Sequence, residues 1–529
     1  MKHPRTVRIL TFALLASMLP LAGCGQAGDE AAVLEETSDT PKEFTVVTYN
    51  VENLFDADGL AIFDDYVESD AEHTYSPRHM LNKLRGISAV LKTFNDGQGP
   101  EVIALSEIEI DFSPDSKVTD YPAFLEKYQD TTVEKMLTSE LNDEIRGLPA
   151  EALLLKHLAD EGMTGYVVAI GQDAPDLQAL TGESTSRRKA QKNVLFSKFP
   201  IASERSHPTE DARDILEAEL SVEGQPFYIF VNHWKSGASS TESEQTRRVN
   251  AQTLRERLDQ IFSDNPSADI LLAGDFNSHY NQSQMYPHMA PTGVNDILGS
   301  QGREAATAAA TEFALYNLWY ELPLTERKSD HHQGSWGTLM QNMITPGLYD
   351  YNGIQYVDNS FEVVVVDGVN VHTPLQLPRR WSNAGAGSGT SDHFPVAARF
   401  RVVAEDDKVR RKEIANPGRE DGSSEPLRVG YETLKPGDLT DFTGSVAQDP
   451  SSHIGEFFRV KGRISVQKPL TVEAAGGSFL LWSHDFDLRR EMQQFPVDTE
   501  VEFIGQLGLH RGKWQLVVEQ PAWLIKRPS

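Results

Sequence analysis

Short, apolar, β-branched runs recur along this chain, and most of them end in a polar residue. FTVVTYN starts at Phe44 and ends in Asn50, and EVIALSE runs from Glu101 to Glu107. FYIFVNHW from Phe227 carries His233, DILLAGDFN from Asp269 ends in Asp275 and Asn277, and FEVVVV starts at Phe361. Such runs suit strands buried on both faces or strands of a packed sandwich. Helical stretches separate them, notably RHMLNKLRGISAVLKTF from Arg78 and SEQTRRVNAQTLRERLDQIF from Ser243. In the second, Val249, Leu254, Leu258, Ile261 and Phe262 approximate one apolar stripe. The alternation predicts an α/β domain over residues 43–403, large enough for a substantial core.

The flanks read differently. MKHPRTVRILTFALLASMLPLAGC opens with Lys2, Arg5 and Arg8, continues with an apolar run from Ile9 to Leu21, and reaches small residues before Cys24. This predicts a secretory signal peptide over residues 1–24, too short for a membrane span. LAGC resembles the lipobox of bacterial lipoproteins, in which cleavage precedes a cysteine that becomes lipidated. Cys24 is the single cysteine, so an intrachain disulfide and a cysteine metal site are both excluded. The resemblance implies an exported protein anchored to the cell envelope through Cys24, at the outer membrane rather than the inner because Gly25 follows, or else an extracellular one. Residues 25–42 are small, polar and acidic and read as a flexible tether. A charged, then Gly-, Ser- and Pro-rich stretch at 404–426 reads as a linker.

A chain of 529 residues is too long for one ordinary domain. It carries 78 acidic against 49 basic residues, a formal charge of −29. Such a surface keeps an exported protein soluble and repels polyanions at long range. Tight non-specific DNA binding, which runs on Lys and Arg, is disfavoured, but phosphate hydrolysis is not, because bound cations reverse the local field.

Ligand groups in open α/β sheets gather beyond the strand ends. A single Asn or Asp there is ordinary turn chemistry. An amide, a carboxylate, an imidazole and a carboxylate–amide pair at four such ends suit phosphate ester hydrolysis with a hard divalent ion. Mg²⁺ takes oxygen ligands and keeps several waters, so Glu107 with Asn50 and one further Asp would suffice. Such an ion polarises phosphoryl oxygens. Asp275 could orient or deprotonate the attacking water, Asn277 could hold a phosphate oxygen, and imidazoles could donate to the developing charge. A zinc hydrolase fits less well, since no HExxH occurs, and a serine hydrolase lacks its GxSxG.

In order, TYNVENLF, VIALSEIE, NHWKS, AGDFNS and a terminal SDHFPV resemble the endonuclease/exonuclease/phosphatase superfamily, the DNase I-like fold, from about Phe44 to Val402. The resemblance implies a four-layered α/β sandwich that hydrolyses phosphodiesters or phosphomonoesters with Mg²⁺ or Mn²⁺. It assigns Asn50, Glu107 and Asp392 to the metal, with Glu52 ligating through water. Asp275 and Asn277 match the water-activating and phosphate-binding pair, and His233 and His393 the phosphate-facing histidines. An Asp that orients the last histidine is matched loosely by Asp358, since Asn359 and Ser360 intervene before the apolar run. Asp367 is its competitor. Arg188 and Lys192, in a basic stretch before a strand, and Lys235, after NHW, are weaker candidates for substrate contact. NAGAGSG before Thr390 is either a mobile loop or slack, and residues 112–164 and 279–350 are elaborations of the core.

From 427 to 529 the pattern is all-β and resembles an OB-fold: VKGRISV, GGSFLLWSH, then TEVEFIGQLGLHRGKWQLVV. Such barrels bind single strands through basic grooves and stacking aromatics. Trp482, Phe486 and Trp514 are candidates, with Arg463, Arg489, Arg490, Arg511 and Lys513 as phosphate partners; alternatively they are barrel core and ordinary surface. From Glu425 onward there are 12 Lys and Arg against 14 Asp and Glu, so the acid excess lies upstream. The expectation is a metal-dependent phosphoesterase, foremost an exported nuclease acting on nucleic acid. A phosphatase or phospholipid phosphodiesterase is the alternative, and a non-catalytic surface lipoprotein the rival. Ser-Asp-His occurs twice, at Ser391 and at Ser329. The first precedes an alternating strand and is expected to be catalytic. The second, in a polar loop, is expected to be a look-alike.

Overall fold

In the computed structural model, which describes residues 43–66, 75–113, 116–172, 174, 177–180, 190–309, 315–403 and 423–527, the apolar runs become strands of two stacked sheets. Cys24, Arg188 and most of the expected linker lie outside the described residues. In chain order, the strands that carry the site are Glu43–Leu54 (β1), Val102–Glu109 (β2), Gln191–Ser197 (β3), Gln225–His233 (β4), Ile270–Asp275 (β5), Met340–Ile344 (β6) and Val396–Val402 (β7). Each sheet has seven strands; β7, β1, β2 and β3 are adjacent in the first, and β4, β5 and β6 in the second. The pairs β1–β2 and β4–β5 are parallel, whereas β7, β3 and β6 join them antiparallel.

Strand alternation sorts the side chains into layers. Phe44, Val46, Val102 and Ala104 face Phe227, Ile229 and Leu271 of the other sheet. On the outer side of the first sheet, Val47, Tyr49, Ile103 and Leu105 pack with helices α1 (Pro77–Leu91) and α2 (Ala150–Asp160). Phe230, Ile270 and Leu272 pack under helix α3 (Thr241–Asp264). Each of the Val, Leu, Ile and Phe side chains among these, fully buried, contributes about 1.5–3 kcal/mol. The four layers, helix–sheet–sheet–helix, are the expected sandwich. Ser240 caps α3 by accepting from the Ser243 amide, and Glu242 and Glu244 complement the helix dipole.

Two sequence expectations shift. Val249 is exposed and Ala251 is buried in its place, because five residues carry Val249 about 140° round the helix from Leu254. FEVVVV yields only a two-residue strand, Glu362–Val363. The Val366 amide turns to the Asn370 side chain instead of continuing the ladder.

The C-terminal part is a closed barrel, as its pattern predicts. Its strands are Phe457–Gln467 (β8), Leu470–Ala474 (β9), Gly477–Trp482 (β10), Glu500–His510 (β11) and Lys513–Val517 (β12), with helix α4 (Phe486–Met492) after β10. The order β8-β9-β10-β12-β11 closes where β11 pairs back onto β8. The barrel shares one apolar cluster with the sandwich, since Trp336, Val371, Leu377 and Phe394 join Phe457, Leu507 and Trp523.

Candidate active site

The expected residues converge at one end of the two sheets, and backbone irregularity aims them. The β1–β2 register breaks between Asn50 and Leu54, and the β2–β3 register between Leu105 and Ile108. Glu52, Asn53 and Glu107 have φ of 48°, 62° and 65° in these bulges, a left-handed conformation that costs energy in non-glycine residues and clusters at functional sites. Across the second sheet His233 is in register with Asp275. Gly274 permits this: a Cβ there would stand 2.0 Å from the Asn232 carbonyl oxygen. Polar rungs hold the sheets together nearby, Thr48 Oγ1 donating to Asn342 Oδ1 at 2.8 Å and Ser106 Oγ to the Asn232 carbonyl at 3.3 Å.

The buried Asn50 amide donates to Glu107 Oε1 and Asp275 Oδ2, each at 3.0 Å. The other Glu107 oxygen accepts from the Asn53 amide at 3.0 Å and from Gln191 Nε2 at 3.2 Å. His233 Nε2 stands 3.6 Å from Glu107 Oε1 and 3.8 Å from Asp275 Oδ2. His393 Nε2 lies 3.7 Å from the same Asp275 oxygen and 3.6 Å from Asp392 Oδ1. Asp275 Oδ1 accepts from the Asn277 amide at 2.8 Å, and the Asn277 side chain donates to the Trp234 carbonyl at 3.1 Å. Ser391 Oγ ties the last loop to β1 through the Asn50 carbonyl at 2.6 Å.

Burial, reinforced by Asp392, raises the pKa of Glu107. Burial, with Arg213 and His393 nearby, lowers that of His233 and keeps it neutral. Burial also opposes protonation of His393, but Asp392, Asp275, Asp330 and Glu107 outweigh it and lift the imidazole to about 9. Carboxylates gathered this closely are held apart from one another by a cation or a proton. Glu107, His233 and Asp275 each offer a ligand atom, all within 4.8 Å of one another. Asp392 Oδ1, His233 Nδ1 and His393 Nδ1 are buried without a hydrogen-bond partner. The donor set fits a hard divalent ion.

A family model described as the Endonuclease/Exonuclease/phosphatase family matches residues 45–118 and 164–401, more than half of the chain. The chain belongs to that family. It is accordingly a phosphoesterase. No curated protein matches the chain. Among solved structures, an endonuclease/exonuclease/phosphatase family protein from Bacteroides thetaiotaomicron is 12% identical, covering 71% of this chain and 99% of that one with a TM-score of 0.37. A D. rerio TDP2 humanized by 14 mutations is 12% identical over 68% of this chain and 99% of that one, with a TM-score of 0.35. D. rerio TDP2 complexed with a single-strand DNA product gives 12%, 68%, 99% and 0.34.

The remaining expected residues of this family member sit elsewhere or have other partners. Glu52 adjoins the site, but Arg380 Nε and the Trp381 amide occupy its two oxygens, each at 2.6 Å, and Lys83 holds its carbonyl. Burial and the nearby Asp392 carboxylate raise the pKa of Glu52 to about 7, despite the opposing charges of Arg380 and Lys83. Lys192 points the other way, into the first sheet's outer layer, where it pairs with Glu151 at 3.1 Å and both are buried. Lys235 is partly exposed and pairs with Asp211 at 2.8 Å. Asp358 lies near Glu321, adding to the burial that raises that carboxyl's pKa to about 8. The glycine-rich stretch is pinned: Asn82 on α1 donates to the Ala386 carbonyl at 2.9 Å, and Gly389 crosses the Arg380 carbonyl too closely for a Cβ.

Two residues escaped the sequence. Asp330, from the supposed look-alike, bridges His393 through the backbone, and the Phe394 amide donates to the Ser329 carbonyl at 2.6 Å. The segment is a hairpin, Asp330–His332 against Ser335–Gly337, rather than a loop. The Asp330 carboxylate is fixed by Ser329 Oγ and the Leu339 amide at 2.9 and 3.0 Å. The repeated triplet was the available signal. Arg213 faces Glu107 and Asp275 and hydrogen-bonds Gln191, and nothing in its local sequence marks it.

Proposed function

We propose that this phosphoesterase is an exported, divalent-metal-dependent nuclease that cleaves phosphodiester bonds by in-line attack of water. The observation that carries the reading is the convergence of Glu107, His233 and Asp275 within 4.8 Å, with the Asn50 amide tying two of them. Glu107, Asn50 and Asp392 would hold Mg²⁺ or Mn²⁺, which supplies Lewis acidity toward the phosphoryl oxygens. Asp275 orients the attacking water and accepts its proton. His393 donates to a non-bridging phosphate oxygen, His233 flanks it, and the Asn277 amide, braced on Trp234, fixes the phosphate. Residues 1–24 serve as the signal, Cys24 as the lipid anchor, residues 25–42 as the tether and 404–426 as the linker to the barrel.

The test uses purified protein with plasmid DNA, RNA, a phosphomonoester and sphingomyelin, each with Mg²⁺ or EDTA. Metal-dependent cleavage of nucleic acid is expected, with a loss of at least 10³-fold for Asp275→Ala, of the order seen when a positioned catalytic group is removed. Cleavage of lipid alone would replace the nuclease with the phospholipid reading, and full activity of Asp275→Ala would sink the site. In the parent cell, Cys24→Ala is expected to move the protein from the membrane fraction to the soluble one.

A further inference from the structure

A cleft of about 680 Å³ separates the sandwich from the barrel. Glu52, Asn53 and Arg380 line one wall, and His484, His510 and Arg511 the other. Its inner end adjoins the metal-ligand cluster, because the Asn53 amide donates to Glu107 Oε2. Its outer end runs onto β10 and β12. Gln515 and Val517 line the cleft and lie in register with Leu480 and Trp482 on the neighbouring strand. Alternation buries Phe479 and Leu481 in the barrel and turns Leu480 and Trp482 outward.

At that end stand two aromatic rings in water. Trp482 is 38% exposed and Phe486, opening α4, is 64% exposed; no other aromatic residue among those described is so exposed. Arg489 lies over both, 4.4 Å from the Trp482 ring and 5.6 Å from the Phe486 ring, and Arg490 is 6.0 Å from Phe486. A fold gains nothing by leaving two rings uncovered. Flat rings edged by guanidinium groups match a base with its phosphate: the ring takes the π-face and the arginine takes the charge. The π-face of a base is open only where the strand is unpaired. In a protein of charge −29, a cationic aromatic shelf at the outer end of this cleft offers a polyanion local attraction.

Resting on the nuclease reading above, we infer that an unpaired polynucleotide strand runs from the catalytic cluster through this cleft and stacks a base on the Trp482–Phe486–Arg489 shelf. The enzyme then prefers single-stranded stretches or frayed ends to intact duplex.

Fluorescent twelve-residue oligonucleotides, dT and U, are titrated into purified protein in EDTA at two salt concentrations, beside a duplex of matched length. Hydrolysis of bis(p-nitrophenyl) phosphate with Mg²⁺ reports the catalytic cluster separately, since that small diester does not reach the shelf. The single strands are expected to bind more tightly than the duplex. The double variant Trp482→Ala, Phe486→Ala should weaken them at least tenfold, a loss exceeding any loss on the small diester by that factor, and Trp482→Phe should restore most binding. Arg489→Gln should flatten the salt dependence. The dT and U arms decide whether DNA or RNA is favoured. Wild-type affinity in the double variant, equal affinity for duplex, or loss that Trp482→Phe does not rescue would overturn the inference. So would Trp482-dependent binding to phosphatidylglycerol vesicles in place of oligonucleotide, which would assign the shelf to a membrane. If the strands bind as expected while wild type hydrolyses neither oligonucleotide nor small diester, the shelf stands and the nuclease reading fails.

Discussion

Asp330 changes how the second Ser-Asp-His triplet is to be understood. Its backbone bridges His393 and its carboxylate, fixed by Ser329 and Leu339, adds to the negative surroundings of that imidazole. With its carboxylate held by those two partners, Asp330 is expected to act by positioning His393. Asp330→Asn is expected to lower turnover about 10–100-fold, the usual cost of losing such a support, with little change in KM. His331→Ala should keep most activity, because that ring turns to the Tyr431 hydroxyl at 3.1 Å; steady-state kinetics of the two variants decides. Asn50, Glu107, His233 and Asp275 were legible because each follows its own apolar run, His233 and Asp275 at the strand's end and Asn50 and Glu107 where the pairing register breaks. For Glu52 and Lys192 the partners were not legible, for the opposite reason. Their sequences show a charge, but Arg380 and Glu151, which claim those charges, come from distant segments.

Between elements, the clearest electrostatic tie joins the second sheet to α3. Arg257 holds Glu217 through both oxygens, at 2.7 and 2.8 Å, and His207 adds a bond of 2.6 Å. Burial alone would raise the Glu217 pKa, but Arg257 and His207 overcome it and bring it to about 2. A carboxylate depressed in the folded state stabilises the fold fully above its unfolded pKa, near 4.5, and loses that contribution as pH falls toward 2. Arg257→Met should therefore be less stable than wild type at pH 7 by about 1–2 kcal/mol, allowing for partial solvent screening. The gap should narrow between pH 4.5 and 2 in urea titrations; a constant gap would show that the pair carries none of the acid sensitivity. The helices themselves were readable from their apolar period. The bulges that turn Glu107 inward were not, since a register break arises from pairing between strands.

For the whole molecule, the barrel is part of the sandwich's packing. Trp336 and Phe394 sit in the barrel's apolar cluster, and the Trp336 amide bonds the Leu427 carbonyl at 2.7 Å. Ending the chain at Val403 would uncover both rings, and Phe394 directly follows His393. Calorimetry should show one cooperative transition for the full chain, and the truncated protein should melt lower and hydrolyse even a small diester more slowly. Two well-separated transitions would contradict this coupling. The sequence announced a barrel and a sandwich, but not that they share a core, because the contacts join Trp336 and Phe394 to residues beyond the charged linker. Because a ribosome delivers the chain from its first residue to its last, the support beneath His393 is completed only when β12 and Trp523 have emerged. The site of this phosphoesterase therefore waits on the barrel, and a nascent chain that has released only the sandwich is not yet a working catalyst.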